Sequence, residues 1–477
     1  MADAHSAQQR ATLQCWGLLT IVTYAALSGG GSELLTQSIT SGVAAVFVAW
    51  SLLVGPSLER DATRRVALQA STAMLVLGGY ATIQSLRSMP SGFEHAAWPM
   101  LRDVIGPING AMSVAPEQTW SAVSALAPAL VFIAGLAATQ RDEQAVTLLG
   151  RLCYLGAALA VFGFVERIVW MRVRPSDDSG LVSTAVLNAT FINRNSAGTL
   201  LGCATVLSVA FLSHHLRKVS ASDLYRWIRG LAPRDRSACL KVASFAALAA
   251  ANFLGLMLTQ SRGAAGATLL ALLFFWVLAG PTWKGSVSLL DRVPARLRGL
   301  ITGAIVLGAL FFLLGERVEY RLLATPDSSR WCVAVSSFAA LRDNWPFGAG
   351  LATFADVFPA YRDAECAGIG SAFLEAHNSF LEGAIGMGAV FVVVCVLAIA
   401  VLIHPLLQGL ARRQRHRFVP AAGLAVLLLI ASHSLVDFSI QVPGVSYYVA
   451  VLLAACTSVA LGRSEGYSGG RRAYSRR

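Results

Sequence analysis

Residues 373–403 read FLEAHNSFLEGAIGMGAVFVVVCVLAIAVLI. Between Ser379 and Ile403 the only charged side chain is that of Glu382, and most of the other residues are apolar. About 20 apolar residues in a helix are enough to cross the ~30 Å hydrocarbon layer of a membrane. The stretch therefore predicts a membrane-spanning helix whose polar leading end carries His377.

Apolar runs of this kind recur along the whole chain. Of its 477 residues, 55% are hydrophobic and only 13% are charged, and the mean hydropathy is +0.60. This composition excludes a soluble globular protein and indicates an all-α polytopic membrane protein, with residues 1–477 forming a single integral membrane domain. We expect about twelve transmembrane helices, at 13–29, 35–55, 66–86, 120–138, 145–166, 191–212, 240–260, 264–280, 300–315, 379–403, 419–437 and 445–462.

Charge is divided unequally between the two sides that twelve spans define. The side with both termini carries 26 of the 38 Lys and Arg and 9 of the 26 Asp and Glu, a net charge of +17, and the other side has −5. Because basic loops remain in the cytoplasm, we expect both termini there. The basic residues are spread over separate short loops, which argues against nucleic-acid binding.

Three longer segments are expected on the outer side, at residues 87–119, 167–190 and 316–378. The last is predicted to contain a short helix over Trp331–Arg342, with an apolar face drawn from Val333, Val335, Phe338, Ala339 and Leu341. Cys332 and Cys366 lie in the same segment, and either a disulfide or two free thiols is compatible with the sequence. The cytoplasmic loops contain no glycine-rich phosphate loop, and no Cys/His pair has metal-ligand spacing, so we expect any chemistry on the outer side.

Three arginines are expected at outer membrane boundaries and suit an anionic substrate. Arg194 begins a predicted span between Asn193 and Asn195, which supply further hydrogen-bond donors. Arg262 falls between two closely spaced spans, and Arg330 falls in a predicted first helical turn. The alternative roles are an interfacial anchor for Arg194 or Arg262 and a local ion pair with Asp327 for Arg330.

His377 is the candidate catalytic group, because an imidazole accepts a proton near neutral pH. Asn378 and Glu382 would share one helical face beside it, whereas Glu375 would point elsewhere. His433 and Asp437, at the end of the eleventh run, could support the same cavity. The alternative for each histidine is a polar residue that caps or packs a helix end.

Taken together, these segments resemble the O-antigen ligase and O-antigen polymerase superfamily of bacterial membrane glycosyltransferases. The resemblance covers about residues 113–445 and rests on the order of several short pieces on the predicted outer side. The pieces are Ser113-Val114-Ala115-Pro116 with Thr119, Phe191-x-Asn193-x-Asn195, Ser261-Arg262-Gly263, Arg330 with Gly348-x-Gly350, and His377-Asn378-x-x-Leu381-Glu382 with Gly386. The fold implied is similar to that of the all-helical lipid-linked-sugar glycosyltransferases, with a helical periplasmic segment.

The resemblance also implies a reaction. The family moves a glycan from undecaprenyl diphosphate to a hydroxyl on lipid A core, on another lipid-linked glycan or on a protein, at the periplasmic face of the bacterial inner membrane. Arg194, Arg262 and Arg330 would bind the diphosphate, and His377 would activate the acceptor with inversion at the anomeric carbon. Family members need no metal, and no cofactor is expected. Ligase, polymerase and protein glycosylation remain open, and a transporter or lipid flippase is the alternative of another class.

Overall fold

The computed structural model describes residues 2–31, 34–54, 58, 60–90, 92–173, 186–279, 328–362 and 373–462. Within these ranges the chain is all-helical and contains no β-strand. The α-helices are α1 (Ala2–Leu27), α2 (Leu34–Val54), α3 (Asp61–Ser85), α4 (Ala97–Ile105), α5 (Pro116–Ser121), α6 (Ala127–Ala138), α7 (Asp142–Val173), α8 (Arg194–Leu216), α9 (Ala221–Ile228), α10 (Arg236–Leu258), α11 (Arg262–Ala279), α12 (Ser328–Asp343), α13 (Phe354–Val357), α14 (Ser379–Arg412), α15 (Phe418–His433) and α16 (Pro443–Leu461). Short 3-10 helices cover Gly29–Gly31, Ala122–Leu126, Phe358–Tyr361 and Ser439–Gln441.

Several of these helices can cross a membrane. In the described ranges, eight segments are long and apolar enough: α3, α5 with α6 (Pro116–Ala138), α7, α8, α10, α11, α14 and α16. Shorter apolar stretches lie in α2 and α15, and α1 is not among the eight. The predicted run 300–315 lies outside the described residues, so a total of twelve spans stays a prediction.

Helices α16 and α8 form the centre of the bundle. In the apolar window of α16, 94% of residues are buried within the protein, against 22% in α14, which is peripheral. Small residues make this close packing possible, because a missing side chain lets the neighbouring helix approach. Gly135 on α6 faces Ala454 of α16, and Gly409 on α14 faces Ala460 of the same helix.

One end of the bundle collects the residues that the sequence places on the outer side. Phe191, just before α8, lies against Gly30 after α1 and against Gly444 at the start of α16. The Leu187 N–H donates to the carbonyl of Leu258, the last residue of α10, at 3.0 Å. The starts of α8 and α16 therefore meet the ends of α1 and α10.

Helix α14 is broken near its start, which the sequence did not predict. Gly388 has φ +57° and ψ −140°, outside the helical region. Non-helical backbone in a membrane protein needs internal partners, because lipid offers none. The loop 346–351 supplies them through backbone hydrogen bonds of 2.8–2.9 Å that join Ala349 to Ile385, Gly350 to Gly386 and Ala389 to Pro346.

The helix predicted over Trp331–Arg342 is confirmed as α12, and its predicted apolar face is right at Val333 and wrong at Val335 and Phe338. Val335 and Phe338 are 49% and 61% exposed, whereas the buried positions are Val333, Ser336, Ser337 and Ala340. These four follow the three-to-four-residue spacing of one helical face. Ser336 and Ser337 place two hydroxyls on the buried face, so hydrophobicity alone did not identify that face. The side chains of Cys332 and Cys366 lie outside the described residues.

Candidate functional site

The turn after α15, residues 434–438, joins pieces of sequence that are far apart in the chain; we call it the Asp437 turn. Asp437 is 1% exposed, and its Oδ2 accepts a hydrogen bond from Asn195 Nδ2 at 2.5 Å. Its Oδ1 accepts from the backbone N–H of Ser439 at 2.9 Å and from the Ser439 hydroxyl. A buried carboxylate requires such donors, so Asp437 fixes the turn against the start of α8.

His433, the last residue of α15, makes the second connection. It is 3% exposed, and its Nδ1 lies 2.9 Å from the hydroxyl oxygen of Thr199 on α8. A β-carbon at Gly263 would lie 2.9 Å from Nε2 of the same ring. Glycine at 263 therefore lets the start of α11 approach His433, and neighbouring Arg262 is placed at the edge of this contact.

Arg194 and Arg262 are the first residues of α8 and α11, and both helices begin at this place. Asn193 caps α8, its side-chain oxygen accepting from Asn195 N–H at 2.8 Å. The two helix starts touch, since a β-carbon at Gly198 would lie 2.9 Å from Ala264. Helix N-termini attract anions through their exposed N–H groups and dipoles. The side chain of Arg194 is partly buried and that of Arg262 is exposed.

The start of α14 is attached to the Asp437 turn as well. Ser379 donates its N–H to the carbonyl of Ser434 at 2.9 Å and its hydroxyl to the carbonyl of Asp437 at 3.1 Å. The His377 ring is partly buried, with its centroid 5.6 Å from that of Phe438. His377 therefore lies next to the turn that accepts the hydrogen bond of Asn195, the residue after Arg194.

The backbone around His377 differs from the sequence prediction. Helix α14 begins at Ser379, and Asn378 is its cap, accepting from the N–H groups of Phe380 and Leu381 at 3.1 and 3.0 Å. His377 has φ +53°, a left-handed conformation that is uncommon outside glycine. The expectation that Asn378 and Glu382 share a helical face is therefore wrong, because Asn378 is not helical.

Glu382 stabilises this left-handed turn. Its side chain is buried, and Oε2 accepts the N–H of Ala376 at 3.1 Å. Its carboxyl group also forms side-chain hydrogen bonds with the carboxyl group of Glu375 and the carboxamide of Gln441. A hydrogen bond between Glu375 and Glu382 requires a proton on one of them, and burial raises the pKa of Glu375. Glu375 is thus part of the cluster, although the sequence argument set it aside.

A second polar assembly lies where the segment 113–119 packs on the break in α14. The Ser113 and Thr119 hydroxyls lie 2.7 Å apart, and Gly350 approaches both so closely that any β-carbon there would clash. Gln84 Nε2 donates to the carbonyls of Phe347 and Gly386 at 3.0 and 2.9 Å. The pieces at 113–119, 348–350 and 386 thus form one assembly.

Arg330 is placed only in part. It lies in the first turn of α12, as predicted, and α12 packs against α14. Its side chain is outside the described residues.

Thr199 and Phe438 contact the candidate site residues, and the sequence argument did not single them out. A lone hydroxyl and a lone aromatic residue are common in membrane helices, so neither gives a signal in the sequence.

Comparison with protein-family models gives no match for this chain, and comparison with curated proteins gives no significant match.

Proposed function

We propose that this protein transfers a glycan from undecaprenyl diphosphate to a hydroxyl acceptor during assembly of a bacterial surface polysaccharide. The acceptor is lipid A core or a second lipid-linked glycan. The protein lies in the inner membrane with both termini in the cytoplasm, and the site faces the periplasm. The reaction uses no metal and no cofactor.

One observation carries the proposal: the Asp437 turn contacts the starts of the two helices that begin with Arg194 and Arg262, and it also contacts the segment that carries His377. The contacts of Asp437 with Asn195 and of Ser379 with Asp437 tie Arg194 to the His377 segment, while His433 ties Arg262 to the same turn. A lipid diphosphate needs positive charge, and an acceptor hydroxyl needs a base nearby.

The chemistry is an inverting displacement. The diphosphate lies against Arg194 and Arg262, with Arg330 as the third proposed contact. His377 accepts the proton of the acceptor hydroxyl as its oxygen forms the bond to the anomeric carbon. The bond from that carbon to the diphosphate oxygen breaks, and its electron pair stays on the diphosphate, where the arginines stabilise the charge.

His377 suits the role of base better than the neighbouring acids. The two Asp437 oxygens already accept from Asn195 and from Ser439. Glu382 accepts from Ala376 and pairs with Glu375. These bonds give both acids a positioning role, in which they hold the segments that carry His377 and Arg194.

The alternative function is transport of a lipid or polysaccharide without bond-making chemistry. The break at Gly388 favours it, because transporters often use interrupted membrane helices. The break is filled by loop 346–351 through several backbone hydrogen bonds, which fits a fixed structural element and argues against a moving gate.

Purified protein in liposomes that contain a lipid-linked oligosaccharide and an acceptor separates the two. Transfer predicts new glycosidic product and free lipid diphosphate, whereas transport leaves every glycosidic bond intact.

The orientation in the membrane has a separate test: reporter fusions after Arg236 and after Asp363 should report opposite sides of the membrane. Two fusions on one side contradict the proposed topology.

A further inference from the structure

The opposite end of α15 carries a cluster that the proposed function does not use. The turn between α14 and α15, residues 413–417, reads Arg-Gln-Arg-His-Arg, and we call it the basic turn. It packs on the last turn of α8: the His214 ring lies 5.8 Å from that of His416 and stacks on Phe418 at 4.3 Å. The charge distribution assigns this end of the bundle to the cytoplasm.

Helix α10 completes the cluster. His215 of α8 stacks on Phe245 of α10 with ring centroids 5.3 Å apart, and Phe211 stacks on Phe245 at 4.6 Å. Lys218 follows His215 by three residues, Lys241 lies one helical turn before Phe245, and Arg415 is adjacent to His416. The ring contacts therefore bring together the three segments that carry these cations. Burial lowers the pKa of Lys218, and the positive charges of Lys241 and Arg415 lower it further, so both of these cations lie within electrostatic range of Lys218.

The basic turn is fixed before any ligand arrives. His416 has φ +58°, and its carbonyl accepts the N–H of Val419 at 2.9 Å, while Arg417 Nε donates to the carbonyl of Leu410 at 2.9 Å. Burial and the charges of Arg415, Lys218 and Arg413 lower the pKa of His416 to about 4, so its ring is neutral near pH 7. Arg413 itself is buried against Asp142 and does not face an incoming ion.

Like charges from separate elements repel each other, and protein surfaces usually intersperse both signs. An anion between Lys218, Lys241 and Arg415 would relieve that repulsion, and the start of α15 adds a partial positive charge. Phosphate oxygens suit lysine and arginine donors. We propose that the basic turn, with Lys218 and Lys241, forms a binding site for a phosphate-bearing anion on the predicted cytoplasmic side.

Two kinds of ligand could supply a phosphate group at this end of the bundle: the headgroup of an anionic phospholipid and a soluble phosphate. The test uses full-length protein in nanodiscs of phosphatidylcholine alone and of phosphatidylcholine with phosphatidylglycerol. A third arm adds inorganic phosphate to the phosphatidylcholine nanodiscs. Thermal unfolding and native mass spectrometry report stabilisation and bound ligand.

The test variant is Lys218→Gln with Arg415→Gln, and the matched control is Arg64→Gln with Arg65→Gln, which removes two exposed charges on the same predicted side. We expect phosphatidylglycerol or phosphate to bind the wild type and the control alike, and to bind the test variant about tenfold or more weakly, since each charge-assisted contact contributes about that factor. Unchanged unfolding of the test variant in phosphatidylcholine alone shows that its fold is intact.

Each outcome decides the proposal. Binding of phosphatidylglycerol alone assigns the site to a lipid headgroup, and binding of inorganic phosphate assigns it to a soluble ligand. No binding in any arm overturns the proposal. Equal losses in the test and control variants overturn it as well, because the effect then comes from net charge.

Discussion

The two turns that flank α15 differ in composition and in how they are held: residues 434–438 are mostly uncharged and contain one buried acid, whereas residues 413–417 contain three arginines. The Asp437 turn is fixed by directional hydrogen bonds to Asn195, Ser439 and Ser379 from three helical segments. The basic turn has hydrogen bonds to the two helices that it joins, but its contact with α8 is made by aromatic rings. Hydrogen bonds restrict the distance and the angle between two groups and so fix the positions of the side chains that make them. In the basic turn the aromatic rings make the contacts, and the charged side chain of Arg415 stays exposed. The first arrangement suits positioning of reactants, and the second suits attraction of an anion.

The largest effect should come from His377→Ala, at the residue that contacts the Asp437 turn through Phe438. We expect transfer to fall by about 10²–10⁴-fold, the usual contribution of a general base, with unfolding temperature and donor binding unchanged. The rate of product formation in liposomes measures this. His404→Ala is the control, because His404 is an exposed histidine in the other half of α14.

A purely structural role for His377 predicts a different pattern. Stability and transfer would then fall together in His377→Ala, and His377→Asn would restore both. Turnover close to wild type in His377→Ala would remove it as the base and leave Glu382 or Asp437 as the next candidates.

Arg262→Ala should have the next largest effect. A lost charge-assisted contact to a diphosphate costs about 1.5–3 kcal/mol, or roughly one to two decades in rate. Arg342→Ala is the matched control, because the Arg342 side chain is 80% exposed and forms an ion pair with the adjacent Asp343. Equal transfer rates for the two variants, at equal expression, would place Arg262 outside the site.

Asp437→Ala should act on stability first. It leaves the Asn195 amide and the Ser439 N–H without their acceptor in a buried place, which costs about 1–3 kcal/mol. Denaturant unfolding in detergent measures the change, with Asp343→Ala as the half-exposed control. A loss no larger than that of the control would show that the Asp437 turn is not held by this carboxylate.

The smallest effect concerns pH. Burial raises the pKa of Glu375 above its usual value of 4.5, so the folded protein binds this proton more tightly than the unfolded chain. Stability should therefore fall as pH rises from the usual carboxyl pKa through the raised one. Glu375→Gln should flatten that fall, and Glu143→Gln, at an exposed carboxylate, should not. Unfolding temperature measured from pH 4 to pH 8 tests this prediction, and parallel curves for all three proteins would contradict it.

Sequence reasoning failed where it assumed a regular helix. Glu375 was set aside because a helical wheel placed it far from His377, yet the left-handed His377 ends that periodicity and returns the chain to Glu382. The break at Gly388 was missed because glycine within an apolar run also fits a close helix contact. Val335 and Phe338 were assigned to a buried face because hydrophobicity does not say which side a neighbour covers.

The sequence by itself determined the class of protein, the approximate positions of the helices and the expected sidedness, because apolar length and loop charge are local properties. It also placed Arg194 at a helix start, where the structure has it, and Arg262 between two spans, whereas the structure makes it the first residue of α11. Only the tertiary structure decided which helix ends contact each other. Asn195 and Asp437 are 242 positions apart, and no periodicity or composition links them. Their contact depends on the packing of α8, α15 and α16, and the buried carboxylate at its centre is stabilised only once those helices have assembled.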